Sequence, residues 1–149
     1  MNIPFHKPHI TQKEIDSVID IMRSGWLTMG SKTIQFEKKF VNNIGCKYAI
    51  SVNSATSALH LALNAVNVGK GDEVIIPTNT FIATAGSIIA CGATPVFVDC
   101  DERMQINPNL IEKAITPKTK GIVPVHWMGC PADMDRIMQI ANQNNLVVV

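Results

Sequence analysis

A chain of 149 residues, 46% apolar and with a formal charge of +1, is long enough to bury a core of its own and reads as one soluble globular body. Its balanced charge, without a Lys/Arg cluster or interleaved aromatic and basic residues, argues against nucleic acid or an anionic membrane as a partner. The longest apolar stretch, Ile82 to Ala93, is broken by Thr84, Gly86 and Ser87 and is too short to cross a bilayer.

Met1 to Ile10 carries prolines and histidines and no apolar run, so no signal peptide is read there. His6 and His9 have metal-like spacing but no accompanying Cys or carboxylate cluster, and no metal site is expected. The first helix begins at Thr11, where Glu14 completes a capping box. Ile15, Val18, Ile19 and Met22 then recur at helical spacing until Gly25, which predicts a helix with one buried face. GWLTMG follows as a loop. A second helix is expected over 33–43, with Ile34, Phe40, Val41 and Ile44 as its stripe and Gly45 as its stop.

From Tyr48 the pattern changes to short apolar runs, YAISV, EVIIP, TPVFVD, GIVPV and LVVV, separated by helical segments near 55–65, 82–91, 108–114 and 134–144. Continuous Val/Ile runs mark strands buried on both faces, so this βαβ repetition predicts a three-layer α/β/α fold with a mainly parallel sheet. Gly71-Asp72, Gly92 and Pro117 punctuate it. Asn107-Pro108 and Asp133 supply helix starts. Leu146 to Val149 reads as a buried strand that stops inside its sheet, and the sequence is expected to be the N-terminal part of a longer chain. Cys46, Cys91, Cys100 and Cys130 form no CxxC pair, consistent with reduced thiols in a cytoplasmic protein.

The segment from Tyr48 to Leu63, YAISVNSATSALHLAL, carries the clearest chemistry. A turn of small residues opens a helix whose first N–H groups lack partners and sit at the positive end of its dipole, beside the hydroxyls of Ser51, Ser54, Thr56 and Ser57. Such a turn suits a phosphate, although Ser54 also suits a plain helix cap. No GxSxG elbow supports a serine hydrolase.

Four separated stretches, GWLTMGSKTIQFE, NSATSALHLAL, GDEVIIPTNTFIATAGSIIACGATPVFVD and PVHWMGCPADMD, resemble the DegT/DnrJ/StrS family of pyridoxal-phosphate-dependent nucleotide-sugar aminotransferases, in the family's order and spacing. The resemblance implies the large domain of fold-type I pyridoxal-phosphate transferases, incomplete at the C-terminus. Residues 1–47 would be a helical arm and active-site loop, and 48–149 the first part of the cofactor-binding domain. It assigns Ser54, Ala55 and Thr56 to the cofactor phosphate and Phe81 to stacking on the pyridine ring, against the alternative of an ordinary core Phe. Trp26 and Thr28 become substrate contacts, against the alternative of a connection that buries Trp26. Ser31 stands where many relatives have Pro. His126 and Trp127 mark the family, but His126 fits a packed, hydrogen-bonded role better than that of a catalytic base.

The implied reaction moves an amino group, usually from glutamate, to a keto-sugar nucleotide in amino-sugar or surface polysaccharide biosynthesis, in a homodimer. The family's Schiff-base lysine and the carboxylate on the pyridine nitrogen match no position of this sequence, so no catalytic residue is assigned and the chain alone is expected not to turn over. A sugar dehydratase of the same family and a non-catalytic phosphate-binding fragment or pseudoenzyme remain alternatives.

Overall fold

The structure is a computed structural model that describes Ile3, Pro4 and residues 6–149. Met1, Asn2 and Phe5, part of the segment considered for a signal peptide, lie outside the described residues. The chain divides into two compact units, Met1–Ser51 and Val52–Val149.

The first unit holds α1 (Gln12–Ser24) and α2 (Ser31–Ile44). Local chemistry sets their ends. The Glu14 carboxylate accepts from the Thr11 N–H at 2.7 Å and from the Thr11 hydroxyl, bonds that hold its pKa below the carboxylate norm. Gly25 and Gly45 close the helices in the left-handed conformation, with φ of 72° and 76°. The buried face expected of α1 is not found. No residue of α1 or α2 is buried, because neither helix covers the other's apolar stripe; Val18 is 60% and Met22 66% exposed.

The second unit contains α3 (Ala55–Ala65), β1 (Glu73–Pro77), α4 (Ile82–Ala90), β2 (Thr94–Val98), α5 (Pro108–Ala114), β3 (Thr119–Ile122), a single 3-10 turn at Trp127–Gly129, α6 (Met134–Gln143) and β4 (Val147–Val148). The strands form one parallel sheet in the order β2-β1-β3-β4. Side chains alternate across β1, so Val74 and Ile76 pack with Leu63 of α3 and Ile88 of α4. Ile75 points to the other face, where it joins Ile111 of α5 and Ile137 and Ile140 of α6. Helices therefore cover both faces, and the three-layer architecture predicted from the sequence is present. Gly121 is needed where β3 meets β4: a Cβ there would lie 2.7 Å from Val147 Cγ2 and 2.9 Å from the Val147 carbonyl oxygen.

Two strand expectations are corrected. Tyr48–Val52 is not a strand: no ladder partner lies beside it among the described residues, and Tyr48 and Ile50 are 74% and 82% exposed. The GIVPV strand is displaced toward the N-terminus, beginning at Thr119 and ending at Ile122. Val123 still donates to the Ile75 carbonyl at 2.8 Å, but Pro124 has no N–H with which to extend the ladder.

Chain order places the functional end. From β1 the chain passes through α4 to β2 on one side, then through α5 to β3 on the other side of β1. The connections diverge between β1 and β3, and the crevice at the carboxyl ends of such a pair is where open α/β sheets bind ligands.

Candidate functional site

The first turn of α3 carries its donors in two groups. Ser54, in extended conformation with φ −159° and ψ 157°, accepts from the Ser57 N–H at 3.1 Å, and its carbonyl accepts from the Ala58 N–H at 3.0 Å. The Ala55 and Thr56 N–H groups and the Thr56 hydroxyl have no protein acceptor among the described residues. Ser54, Ala55 and Thr56 are exposed, so three donors stand free at the positive end of an 11-residue helix. This arrangement fits a phosphate, with Ser54 as cap and Thr56 as hydroxyl donor. The two readings of Ser54 are thus compatible.

The other hydroxyls of the turn are engaged. The Ser57 hydroxyl donates to Asn53 Oδ1 at 2.8 Å. Ser51 does not join the turn, because its N–H and hydroxyl both donate to Glu37 Oε1, at 2.8 and 2.7 Å. Those bonds, from the Ser51 N–H first and then the hydroxyl, hold the Glu37 carboxyl below its ordinary pKa.

Helix α3 is tied to α4 at two levels, by the Ser87 hydroxyl on the Thr56 carbonyl at 3.4 Å and the Cys91 thiol on the His60 carbonyl at 3.9 Å. Burial pushes the Cys91 thiol pKa up. Both bonds join residues 31 apart in sequence, so the helices ascend together and both N-termini open on the carboxyl side of the sheet.

Phe81 occupies the N-cap position of α4, four residues after the end of β1, and is 73% exposed. It is not a core aromatic. Thr80 and Thr84 pair their hydroxyls at 2.8 Å beside it, and the Phe81 carbonyl accepts from the Thr84 N–H at 3.0 Å, so the position is fixed while the ring stays open to a ligand.

On the neighbouring strand end, His126 is exposed and its Nδ1 accepts from the Ala132 N–H at 3.1 Å. A backbone amide can only donate, so the proton of the neutral ring sits on Nε2. The sequence reading of His126 as hydrogen-bonded is met, and as packed is not. Gln105 is a residue that the sequence reading passed over. It is 1% exposed, and its carboxamide takes the Trp127 amide at both ends, accepting from the N–H at 3.2 Å and donating to the carbonyl at 3.3 Å. The only sequence signal is a polar residue in front of Ile106 in an otherwise exposed loop.

Trp26 and Thr28 belong to the first unit. The Trp26 ring is 64% exposed rather than buried, and its Nε1–H donates to the Met29 carbonyl at 2.9 Å. Gly30 leaves room for that ring, since a Cβ there would come within 2.7 Å of Trp26 Cδ1. Trp26 and Thr28 line a cleft of about 270 Å³ with Ile21, Lys32 and Thr33. Ser31 is the first residue of α2, a position that suits Pro and Ser alike, so the departure from the family pattern leaves the helix start intact.

The larger cleft of the second unit, about 760 Å³, is walled by Asp101, Arg103, Asn107, Asp133 and Arg136. Its polar groups are already employed. Burial raises the Asp101 pKa, but the Gln105 N–H and the Arg103 guanidinium and N–H together bring it below the ordinary value. Arg136 pairs with Glu112 at 3.1 Å, and Asn107 and Asp133 cap α5 and α6.

The DegT/DnrJ/EryC1/StrS aminotransferase family profile matches residues 8–149. The chain belongs to this family. It is 48% identical, over 99% of its length, to the Bacillus subtilis spore coat polysaccharide biosynthesis protein SpsC and covers 38% of that protein. Identity to the Methanocaldococcus jannaschii protein MJ1066 is 49%, over 99% of this chain and 38% of that one. Among solved structures, the pyridoxal-phosphate form of the putative sugar aminotransferase Spr1654 from Streptococcus pneumoniae superposes with a TM-score of 0.94 at 41% identity, over 100% of this chain and 38% of that one. NtdA from Bacillus subtilis, with pyridoxamine phosphate bound, superposes at 0.88 with 39% identity, over 93% of this chain and 33% of that one. The chain thus spans about 38% of the curated relatives it matches, and its fold is that of the corresponding part of these DegT/DnrJ/EryC1/StrS aminotransferases. No helix among the described residues is long and apolar enough to cross a membrane.

Proposed function

We propose that this chain is the phosphate-gripping part of a pyridoxal-phosphate-dependent sugar aminotransferase. It would hold the cofactor phosphate on Ser54, Ala55 and Thr56 and the cofactor ring on Phe81. The observation that carries the proposal is the free first turn of α3, whose Ala55 and Thr56 N–H groups and Thr56 hydroxyl open on the same side of the sheet as the exposed Phe81. Phosphate binding fixes one end of the cofactor, and flat contact with Phe81 sets the tilt of its ring. Pyridoxal phosphate supplies, when bound, the electron sink that lets an amine be moved between carbon atoms.

The remaining assignments rest on the family resemblance. Residues 1–47 serve as the arm that brings Trp26 and Thr28 to the substrate, and residues 48–149 as the start of the cofactor domain. The amino donor is glutamate, the acceptor a keto-sugar nucleotide of polysaccharide biosynthesis, and the assembly a cytoplasmic homodimer. The family resemblance assigns neither the reactive lysine nor the carboxylate for the pyridine nitrogen to a residue of this chain.

The test is an amino-transfer assay on the polypeptide that carries this sequence in the cell, supplied with pyridoxal phosphate, glutamate and a panel of nucleotide keto-sugars. The proposal expects an amino-sugar nucleotide and 2-oxoglutarate in equal amounts. Loss of water from the sugar with no amine incorporated, or no turnover at any substrate with the cofactor bound, contradicts it.

A further inference from the structure

Nothing in the proposed reaction accounts for the loop after β3. Trp127–Gly129 makes a single turn in which Met128 adopts a left-handed φ of 52°, a conformation that an unbranched non-glycine residue holds only when its surroundings demand it. The demand comes from both sides. Gln105, buried in the loop after β2, accepts from the Trp127 N–H with its Oε1 and donates to the Trp127 carbonyl with its Nε2, which also donates to the Arg103 carbonyl in its own loop. The Ala132 N–H holds His126 Nδ1. A buried side chain that bonds both backbone groups of a residue in another loop fixes that loop's path, and leaving it unpaired would be costly.

This fixing leaves three exposed groups together: the His126 imidazole, with Nε2–H as its one donor, the Trp127 ring at 37% exposure and Met128 at 87%. Val123 pairs with Ile75, so His126 and Phe81 leave neighbouring strand ends on the two sides of the β1/β3 crevice. A flat apolar ring next to a fixed N–H donor matches a pyranose, whose C–H face is apolar and whose hydroxyl and carbonyl oxygens accept hydrogen bonds.

We propose that the His126–Met128 loop is a sugar-contacting element, in which His126 Nε2–H donates to an oxygen of the sugar and Gln105 acts as the positioning residue that sets the loop. This rests on the sugar-aminotransferase reading given above. No proton is transferred in this role.

The experiment has two arms, both on the complete polypeptide. In the first, nitrogen-15 histidine NMR without substrate is expected to show His126 as a single Nε2–H tautomer, and Gln105→Met, which keeps the volume and removes both bonds to Trp127, to give a tautomer mixture. Gln105→Glu, which keeps the shape of the side chain, replaces Gln105→Met if that variant does not fold. In the second arm, His126→Ala raises KM for the keto-sugar nucleotide about tenfold, the effect of one hydrogen bond, with kcat and the cofactor spectrum unchanged; His126→Gln, which restores an N–H donor, recovers part of it. Gln105→Met raises the same KM about fivefold alone and adds nothing to His126→Ala.

A tautomer mixture already present in the unmodified protein, an unchanged KM in His126→Ala, or additive effects of the two substitutions would overturn the inference. If the protein transfers no amine at all, the sugar-aminotransferase reading fails. The tautomer result then still decides whether Gln105 sets the loop, and weak binding of the sugar nucleotide, lost in His126→Ala, decides whether the loop contacts it.

Discussion

The two units of this chain use the same local chemistry to different ends. Met1–Ser51 has well-formed helix ends, a capping box at Thr11 and left-handed glycines at Gly25 and Gly45, yet no residue of its helices is buried. Val52–Val149 has caps of its own, at Ser54, Asn107 and Asp133, and in addition a two-sided core, in which Ile75, Ile76, Ile88, Ile111, Ile122 and Ile137 are at 0% exposure. Caps decide where a helix begins and stops. They do not supply the apolar burial that makes an element resist unfolding. The stable frame of the candidate site therefore lies in the second unit, and α3, α4 and the strand ends that position Ser54 to Thr56, Phe81 and His126 all belong to it.

This contrast is sharpest when an aliphatic side chain is cut back to Ala in each unit. Ile75→Ala is expected to lower stability by about 2–5 kcal/mol, against a change within about 0.5 kcal/mol for Val18→Ala on exposed α1, both read by chemical denaturation. Equal losses would show that α1 is covered after all. Gly121→Ala drives a Cβ into the backbone of Val147 and is expected to cost about 1–3 kcal/mol, with early loss of amide protection at Val147 to Val149. Ser54→Ala removes the cap of α3 and costs about 1 kcal/mol, while Thr11, whose hydroxyl bonds to an exposed carboxylate, gives a smaller loss on replacement by Ala.

The smallest effect is the acid response of Glu37. Its folded pKa lies below the ordinary 4.5 because Ser51 donates to it. The stabilisation is therefore present in full above about pH 4.5 and is lost as pH falls through the lowered folded value. Glu37→Gln is expected to flatten that part of the acid titration of α2 helicity and leave the neutral region alone. An unchanged acid limb would mean that the Ser51 bonds are not formed in solution.

Much of the second unit was legible because its signals are local or periodic. The runs EVIIP and TPVFV became β1 and β2, and Asn107-Pro108 opened α5 with the Asn side chain on the Asn109 N–H. Tyr48–Val52 was misread because a strand needs a partner as well as a pattern, and none lies beside it among the described residues. The end of β3 was misread because the missing N–H of Pro124 outweighs the apolar run around it. Phe81 could be placed at a strand end from sequence, but its exposure depends on how α4 packs. Gln105 was illegible in principle: its role is a contact across 22 residues to a backbone amide, which no spacing rule encodes.

The central claim is that the free donors of α3 grip a phosphate, and Thr56 tests it with least ambiguity. Binding of pyridoxal phosphate and of unphosphorylated pyridoxal to the complete polypeptide should be measured with and without Thr56→Val. The account predicts that pyridoxal phosphate binds about tenfold or more weakly to the variant, as expected for a lost hydrogen bond to a charged group, with pyridoxal binding unchanged. An unchanged affinity for pyridoxal phosphate, or an equal loss for both ligands, would contradict it.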